Sequence, residues 1–350
     1  MTLTEKDIEF MRRALSLARL GFGDTNPNPM VGSVIVDPDG RIVGEGWHRR
    51  CGQGHAEVNA VADADSHGYG ALLPQCTMYV TLEPCSHWGR TPPCAAMIAD
   101  RHIPRVVVGA SDPFYKVAGR GITMLRDVGA EVVTGVLAEE SRRLNAMFMT
   151  AKGAPGRPFV TLKWAQSSDG FMDWKRTVEH PLPCRFSSAT GTFAVHRLRS
   201  AHQAIVAGAG TVRADRPRLD NRLWEGPSPL PVILSHGPLP EAPEKAIVTD
   251  SCHTPQELLE FLVRQGIESV LVEGGAQVLT EFLKSGLWDA ARVETAPSAL
   301  AADGAVKAPQ LSDFQLDDSV AIATLHRDGR SVRWYSNNGL FTAGHPLCAF

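Results

Sequence analysis

The motif that most constrains this chain is a set of residues with the chemistry of a metal site. His55-Ala56-Glu57 is followed by Pro84-Cys85 and later by Cys94. Zinc favours imidazole nitrogen and thiolate sulfur, and a catalytic zinc site uses three protein ligands so that a water can hold the fourth position. His55, Cys85 and Cys94 supply that number of ligands. The pattern therefore predicts a catalytic zinc site, and it requires a fold that brings these distant residues together.

Glu57 gives the predicted site its chemistry. It lies two residues after His55 at the start of a predicted helix, near the metal but without a need to ligate it. Zinc-dependent nucleobase deaminases combine one His, two Cys and such a Glu. In that chemistry zinc acidifies a water for attack on an amidine-like ring carbon, and the Glu passes a proton to the leaving amine. The residues therefore predict hydrolytic deamination, with Glu57 as the catalytic residue.

Other interpretations of these residues are weaker. Each ligand alone would be an ordinary core histidine or buried thiol, but the combination is not. A closed structural zinc site would need a fourth ligand, for which Cys51 and His87 are the candidates. Glu57 argues against that site and against a zinc-stabilised binding protein without turnover, because neither uses a carboxylate beside an open zinc position.

Length and composition allow two activities in one chain. A chain of 350 residues is expected to hold about two domains of roughly 150 residues each. A net charge of −3 and a charged share of 21% indicate no nucleic-acid or membrane surface. Charged residues interrupt the first twenty positions, and no run reaches the roughly 18 apolar residues of a spanning helix. We therefore expect a cytoplasmic protein.

The cysteines outside the zinc motif complete no further motif. Seven cysteines is an odd number in a chain without an export signal, which argues against a disulfide framework. Free thiols are therefore expected at Cys51, Cys76, Cys184, Cys252 and Cys348.

Strands and helices alternate along the chain, which predicts an α/β fold. Thr4 and Asp7 form a capping-box pattern ahead of a first amphipathic helix. Strand-like runs at 31–36 and 41–47 flank a Pro- and Gly-containing turn and predict a hairpin. The KGAPGRP stretch at 152–158 indicates a boundary between a domain at 1–150 and a domain at 151–350. Strands are predicted near 159–162, 204–207, 231–234 and 269–273, and helices near 193–200 and 277–284.

The spacing of the two zinc cysteines is unusual. The common deaminase pattern has two residues between them, whereas PCSHWGRTPPC places eight there. With NPNPMVGSVIV, HAEVNA, VTLEPCSHWGRTPPC and KVAGRG, the chain closely resembles the deaminase half of bacterial bifunctional riboflavin biosynthesis proteins. The resemblance implies a cytidine-deaminase-like N-terminal domain in which His55, Cys85 and Cys94 bind Zn2+. It also implies that Asn28 and, more weakly, Lys116 contact the substrate.

The second half resembles the reductase domain of the same family more loosely, through VTLKWAQSSDG, HRLRSAHQAIVAGAGTVRADRPRL and SVLVEGGAQVLTEFL. The resemblance implies a dihydrofolate-reductase-like C-terminal domain that uses NADPH. Independently, a strand that ends in Gly274-Gly275 before a helix offers bare amides to a cofactor phosphate. The implied cofactor contacts are Ala165, Thr211, Asp215, Ser235, Gly275, Ala276 and Gln277. The implied substrate contacts are Lys163, Asp169, Arg199, Leu219, Arg222 and Glu273.

The resemblance further implies the pathway step: deamination of 2,5-diamino-6-(5-phosphoribosylamino)pyrimidin-4-one, followed by reduction of its ribosyl group to ribityl. The partner is thus a phosphorylated small molecule rather than nucleic acid or membrane. Chains of this family tend to form homo-oligomers, dimers or tetramers, through the reductase-like half. A deaminase of a free base or a tRNA base is a weaker alternative, because the chain carries the long cysteine spacing and a reductase-like half.

One segment departs from the family pattern. Where many members carry a Gly-x-Ser-x-Trp-Ile-Ser type sequence, this chain reads HPLPCRFS at 180–187. That segment helps to hold the sugar phosphate and nicotinamide in the family, so a monofunctional deaminase with a degenerate reductase-like domain is an alternative. Trp88 also replaces a second His of many relatives, and we interpret it as a variation of the pocket.

Overall fold

A computed structural model describes residues 4–88, 92–114, 118–153, 156–300 and 303–349. The chain divides into two compact units, at 1–156 and 157–350. The division falls within the KGAPGRP stretch. Within the described ranges, none of the helices has both the length and the apolar character needed to cross a membrane.

The first unit begins with the predicted amphipathic helix, α1 (Glu5–Ala18). The Thr4 hydroxyl accepts a hydrogen bond from the Asp7 amide at 3.1 Å, and the Asp7 carboxylate accepts one from the Thr4 amide at 3.1 Å. This reciprocal pair satisfies amide donors that the first turn of a helix leaves unpaired. The predicted capping box is therefore confirmed.

A five-stranded sheet forms the centre of the first unit. In chain order its strands are β1 (Gly32–Val36), β2 (Ile42–Trp47), β3 (Thr77–Leu82), β4 (Arg105–Ala110) and β5 (Glu131–Thr134). Their order across the sheet is β2-β1-β3-β4-β5. β1 pairs antiparallel with β2 and β3, which confirms the predicted hairpin, whereas β3, β4 and β5 are parallel.

Helices cover both faces of this sheet. On one face α1 packs through Phe10, Met11 and Ala14. On the other face three helices share a core that includes Ala60, Ile98 and Leu125. The helices that follow α1 are α2 (Ala56–Ser66), α3 (Cys94–Asp100), α4 (Arg120–Asp127), α5 (Ala138–Leu144) and α6 (Ala146–Lys152).

The second unit contains an eight-stranded sheet and a separate two-stranded one. Its strands are β6 (Phe159–Gln166), β7 (Phe171–Asp173), β8 (Ala204–Gly208), β9 (Leu230–Leu234), β10 (Ile247–Thr249), β11 (Ser269–Val272), β12 (Ala290–Thr295), β13 (Val306–Lys307), β14 (Ala323–Arg327) and β15 (Arg330–Ser336). The large sheet has the order β10-β9-β8-β11-β6-β12-β15-β14, and β7 pairs with β13. The six strands from β10 to β12 are parallel, and β15 and β14 join antiparallel.

The helices of the second unit are α7 (Ala189–Ser200), α8 (Ala209–Asp215), α9 (Pro255–Arg264) and α10 (Ala276–Ser285). α7 begins four residues before the predicted start at Phe193, because the Ser188 hydroxyl accepts a hydrogen bond from the Gly191 amide at 3.0 Å. The predicted strands near 159–162, 204–207, 231–234 and 269–273 are present. Both units are therefore α/β, as the alternation of elements predicts.

Candidate active sites

The three predicted zinc ligands meet beyond the carboxyl end of β3, the central strand of the first sheet. His55 is the residue that precedes α2, and Cys94 is the first residue of α3. Cys85 lies in the loop that follows β3. The His55 Nδ1 atom is 3.6 Å from Cys85 Sγ and 3.3 Å from Cys94 Sγ, and all three ligand atoms lie within 4.8 Å of one another.

Local electrostatics favour a thiolate at this position. The hydrogen bonds that Cys85 makes with Cys94 and His55 lower the pKa of the Cys85 thiol well below its ordinary value. The Cys94 amide, at the start of α3, also donates to Cys85 Sγ at 3.3 Å. Helix N-termini stabilise negative charge. Because the thiolate is the form that binds a metal, the cluster fits a zinc ion.

Glu57 lies in the first turn of α2 and is almost fully buried. Burial raises the pKa of Glu57 to about 7, although the nearby His55 opposes the shift. A carboxyl group with a pKa near neutrality can both take and give a proton, which is what general acid and base catalysis needs.

The cluster has the composition of an open zinc site. Among the described residues, the group that could hold a metal consists of His55, Cys85 and Cys94 alone. Cys51, a candidate fourth ligand, is exposed and outside this group. His87, the other candidate, lines the adjoining cleft without joining the group. Three ligands of the His/Cys/Cys type beside a buried carboxyl fit the catalytic rather than the closed kind of site.

A cleft of about 290 Å³ opens beside the cluster. Asn28 is one of its lining residues, as predicted, and its Nδ2 atom lies 3.2 Å from His48 Nε2. The other ring nitrogen of His48 lies 3.1 Å from the Gly54 carbonyl oxygen, so the ring is held from both sides. Burial lowers the pKa of His48, which favours the neutral ring. The cleft is lined by Asn28, Pro29, Val31, His48, His55, Glu57, Leu82, Glu83, Cys85, His87, Asp112, Phe114 and Phe148.

Several residues of this cleft were not predicted from the sequence. The Glu83 carboxylate accepts hydrogen bonds from the amides of Gly119 at 3.0 Å and Gly121 at 3.1 Å, which ties the loop after β3 to the start of α4. Burial raises the pKa of Asp112 to about 6. The position of Glu83 directly before Pro84-Cys85 was a signal that could have identified it.

The sequence also placed Lys116 and Trp88 at this cleft. Lys116, predicted to contact the substrate, lies outside the described residues. Trp88, interpreted from the sequence as part of the pocket, is 76% exposed and is not among the residues that line the cleft. The interpretation of Trp88 is therefore wrong, since its ring projects into solvent.

In the second unit, four predicted substrate contacts form one charged cluster. Arg199 donates two hydrogen bonds to the Glu273 carboxylate, at 2.9 and 2.8 Å, and a third to the Asp220 carbonyl at 3.0 Å. Burial alone would raise the pKa of Glu273, but Arg199 and Lys163 outweigh it and lower the pKa to about 2. Arg222 joins the cluster through Asp220, whose carboxylate it contacts at 2.6 Å.

The surroundings of Leu219 and Asp169 indicate structural roles for both residues. Leu219 is buried directly before Asp220 and adopts a positive φ of 53°. The Asp169 carboxylate accepts hydrogen bonds from the Ser167 hydroxyl at 2.5 Å and the Leu300 amide at 2.9 Å. Asp169 therefore closes the turn after β6, and a direct contact with substrate stays a prediction.

A second cleft of about 350 Å³ lies at the carboxyl ends of β8 and β9. Ser235 and Gln277 are among its lining residues, together with His236 and His253, whose rings are stacked at 5.8 Å. The carboxyl ends of parallel strands are the usual place for a nucleotide in an open α/β sheet.

The other predicted cofactor contacts divide into two groups. Gly275 precedes α10 and Ala276 begins it, and a Cβ on Gly275 would lie 3.2 Å from the Thr211 hydroxyl. These three residues therefore meet at the helix N-terminus, which suits a cofactor phosphate. Ala165 lies in β6, and Asp215 is bound by Arg176; neither is among the residues that line the cleft.

Both units of the chain are similar to known proteins. Residues 4–110 match the cytidine and deoxycytidylate deaminase zinc-binding region, and residues 158–326 match the RibD C-terminal domain. The riboflavin biosynthesis protein RibD of Bacillus amyloliquefaciens is 38% identical over 86% of this chain and 86% of its own length. That of Aquifex aeolicus is 37% identical over 84% of this chain and 88% of its own length. The chain belongs to the RibD family of riboflavin biosynthesis proteins.

Solved structures of the RibD family agree with this fold over nearly the whole chain. Acinetobacter baumannii RibD, form 1, has a TM-score of 0.80 at 30% identity and covers 95% of this chain and 99% of its own. The deaminase/reductase of Thermotoga maritima has a TM-score of 0.79 at 33% identity and covers 94% of this chain and 98% of its own. The predicted cytidine-deaminase-like and dihydrofolate-reductase-like domains are therefore confirmed.

Membership of the RibD family gives the activity in outline. The chain is a bifunctional deaminase and reductase of riboflavin biosynthesis, since both domains are present. The deaminase domain binds zinc, for which His55, Cys85 and Cys94 form the candidate site. The reductase domain uses NADPH, and the substrate is a small molecule.

The HPLPCRFS segment, which departs from the RibD family pattern, is firmly attached to the reductase unit. The Ser187 hydroxyl donates to the Glu294 carboxylate at 3.0 Å, and Arg330 donates to the Phe186 carbonyl at 2.5 Å. The Cys184 amide donates to the Asp173 carboxylate at 3.0 Å. Three residues of the segment are therefore hydrogen-bonded to other parts of the reductase unit.

Arg176 links this segment to a predicted cofactor contact. Its guanidinium donates to the Leu182 carbonyl at 2.7 Å and contacts the Asp173 carboxylate at 2.7 Å. It also forms an ion pair with Asp215. Because the same side chain bridges all three groups, Arg176 couples the position of Asp215 to the HPLPCRFS segment.

Proposed function

We propose that this chain deaminates 2,5-diamino-6-(5-phosphoribosylamino)pyrimidin-4-one to 5-amino-6-(5-phosphoribosylamino)uracil and then reduces the ribosyl group to ribityl with NADPH. The Thermotoga relative carries the name of a diaminohydroxyphosphoribosylaminopyrimidine deaminase and 5-amino-6-(5-phosphoribosylamino)uracil reductase. The observation that carries the proposal is the cluster of His55, Cys85 and Cys94 beside buried Glu57, in one chain with a reductase domain.

In the deaminase cleft each residue has a separate task. Zinc, when bound by the three ligands, supplies the Lewis acidity that activates water for hydrolysis. Glu57 holds a proton in a site that excludes bulk water and delivers it to the leaving amine. Asn28, held by His48, orients the pyrimidine in the cleft. Lys116 is a further proposed contact of the substrate.

In the reductase domain the chain contributes positioning, since NADPH supplies the hydride. We assign Ser235, Thr211, Gly275, Ala276 and Gln277 to the cofactor, because they lie in or beside one cleft at the strand ends. The remaining proposed cofactor contacts are Ala165 and Asp215. The proposed contacts of the substrate are Lys163, Asp169, Arg199, Leu219, Arg222 and Glu273.

The Arg199–Glu273 pair makes one of these assignments more specific. The guanidinium of Arg199 is already engaged by the Glu273 carboxylate and the Asp220 carbonyl. Arg199 therefore orients Glu273 more directly than it can grip a phosphate. Arg222, whose side chain is about half exposed, is better placed to meet the phosphate.

The experiment that tests this function supplies purified protein with the diaminopyrimidine ribotide and NADPH, and follows ammonia release and NADPH consumption separately. We expect ammonia first and NADPH consumption after it. A zinc chelator should stop ammonia release but leave NADPH consumption intact when the uracil ribotide is supplied directly. Absence of ammonia from zinc-loaded protein would reject the substrate, and ammonia without any NADPH consumption would reject the second step.

We also propose a cytoplasmic location and a homo-oligomeric assembly, a dimer or tetramer. None of the seven cysteines forms a disulfide, which suits a reducing compartment. The assembly rests on the family resemblance and would be measured by light scattering during size-exclusion chromatography. A monomeric mass would reject it.

A further inference from the structure

We propose that Lys152 binds the phosphate of the ribotide at the outer end of the deaminase cleft. The inference rests on the proposed function, because it assigns a residue to the phosphorylated end of that substrate. Lys152 was not among the residues selected from the sequence. Three features of the first unit lead to it: a chain of contacts from the cleft, the orientation of α6 and the charge of the lining.

A chain of contacts runs from the lining of the cleft to Lys152. Asp112 and Cys85 both line the cleft, and the Asp112 amide donates a hydrogen bond to the Glu83 carboxylate at 3.3 Å. The Asp112 carboxylate accepts a hydrogen bond from the Phe114 amide at 2.8 Å. The Lys152 ammonium lies 5.5 Å from the centre of the Phe114 ring. Phe114, which lines the cleft, therefore contacts both Asp112 and the Lys152 ammonium.

Helix α6 brings Lys152 to the cleft from a second direction. Phe148 lines the cleft, and Lys152, the last residue of α6, follows it by four positions. Residues four apart lie on the same face of a helix. The face of α6 that carries Phe148 into the cleft therefore also carries Lys152, one turn further along.

The described lining of the cleft carries negative charge that a cation at its outer end would offset. Its described lining includes the carboxyl groups of Glu57, Glu83 and Asp112 but no lysine or arginine. A phosphate would be repelled by these groups unless a cation stood near the mouth. A lysine ammonium is a compact point charge suited to a phosphate, and its contact with an aromatic face holds it in place.

The test compares the ribotide with the corresponding riboside, which lacks the phosphate, in zinc-loaded Lys152→Ala, Lys152→Arg and wild-type protein. We expect Lys152→Ala to raise KM for the ribotide about tenfold with kcat within about twofold, because one screened charge contact is lost. KM for the riboside should not change. Lys152→Arg, which keeps the charge, should remain near wild type.

Lys6→Ala provides the matched control, since Lys6 is an exposed lysine of the same unit and lies in α1. It should leave both KM values unchanged. A second measurement is equilibrium binding of the ribotide to zinc-loaded Glu57→Gln with and without Lys152→Ala; we expect weaker binding in the double variant.

Two results would overturn the proposal: an unchanged KM for the ribotide in Lys152→Ala, or an equal rise for ribotide and riboside. The failure of the proposed function itself would look different, because wild-type protein would then release no ammonia from the ribotide at all.

Discussion

Gly46 in β2 lies so close to Ala60 in α2 that a Cβ atom on Gly46 would stand 2.3 Å from the Ala60 amide nitrogen. The same atom would stand 2.4 Å from the Ala56 carbonyl oxygen. Both neighbours are backbone atoms and cannot rotate away. The glycine therefore allows α2 to lie directly on the sheet, and α2 carries His55 and Glu57 to the metal cluster.

We expect Gly46→Ala to push α2 off the sheet, because no side chain can yield to the added methyl group. The free energy of unfolding of the first unit should fall by about 1–3 kcal/mol, and zinc affinity should fall with it. Thermal unfolding and zinc titration would measure both. Gly210→Ala is the control for stability, since a Cβ there meets nothing within 4 Å. Equal unfolding temperatures for the two variants would contradict this account.

Glu57→Gln should keep zinc but lose deamination, because it removes the proton carrier and spares the three ligands. Ammonia release should fall on the order of a thousandfold. The zinc content, measured by mass spectrometry of the metal, should remain at the wild-type value. NADPH consumption with the uracil ribotide serves as the internal control and should not change. Substantial ammonia release by this variant would refute the role of Glu57.

Arg176→Ala should weaken the reductase without affecting the deaminase. The Asp173 and Asp215 carboxylates would lose the guanidinium that lies between them. The HPLPCRFS segment would lose the hydrogen bond from Arg176 to its Leu182 carbonyl. We expect kcat/KM for NADPH consumption to fall about tenfold, because the bound geometry is less well held. Lys175→Ala, at an exposed neighbouring position, is the control for loss of charge. An unchanged kcat/KM would mean that the segment does not contribute to the site.

Asp7 should make stability depend on pH in the acid range. Burial alone would raise its pKa, but hydrogen bonds from Arg105, Thr4 and Tyr79 outweigh it and lower the pKa to about 2. A carboxyl group with a lowered folded-state pKa stabilises the protein above its unfolded pKa of about 3.9, and this contribution is lost as pH falls towards 2. The full effect is roughly 2.5 kcal/mol.

Asp7→Asn should therefore lower the free energy of unfolding at pH 7 and flatten its decline between about pH 4 and 2. Denaturant unfolding across that range measures the difference. Asp39→Asn, at an exposed turn position, should retain the wild-type pH profile. Parallel profiles for wild type and Asp7→Asn would show that the Arg105 contact contributes nothing.

The zinc site was predictable because its chemistry resides in residue types and spacing. His, Cys and Cys with a nearby Glu define a ligand set before any fold is known, and the fold has only to bring them together. The α/β alternation and the Thr4–Asp7 capping box were predictable for a similar reason. Both depend on interactions within a few residues of the chain.

The cleft around the metal was less predictable. His48 and Glu83 act through partners that lie elsewhere in the unit: Asn28 for His48, and the amides at the start of α4 for Glu83. Trp88 was assigned to the pocket only by analogy with relatives, and the structure leaves its side chain in solvent. A sequence motif assigns a position to a loop but does not say where the side chain points.

The sequence by itself determined which chemistry this protein carries: the metal ligands, the proton carrier, the α/β class and the presence of two domains. Tertiary structure alone decided how the charged residues are used, as with Arg199 bound to Glu273, Asp215 bound to Arg176 and Lys152 beside Phe114. The physical reason is distance along the chain. Local hydrogen bonds depend on neighbouring residues, and ligand chemistry depends on residue type, so both can be recognised in the sequence. The partner of a long charged side chain instead depends on how remote elements pack.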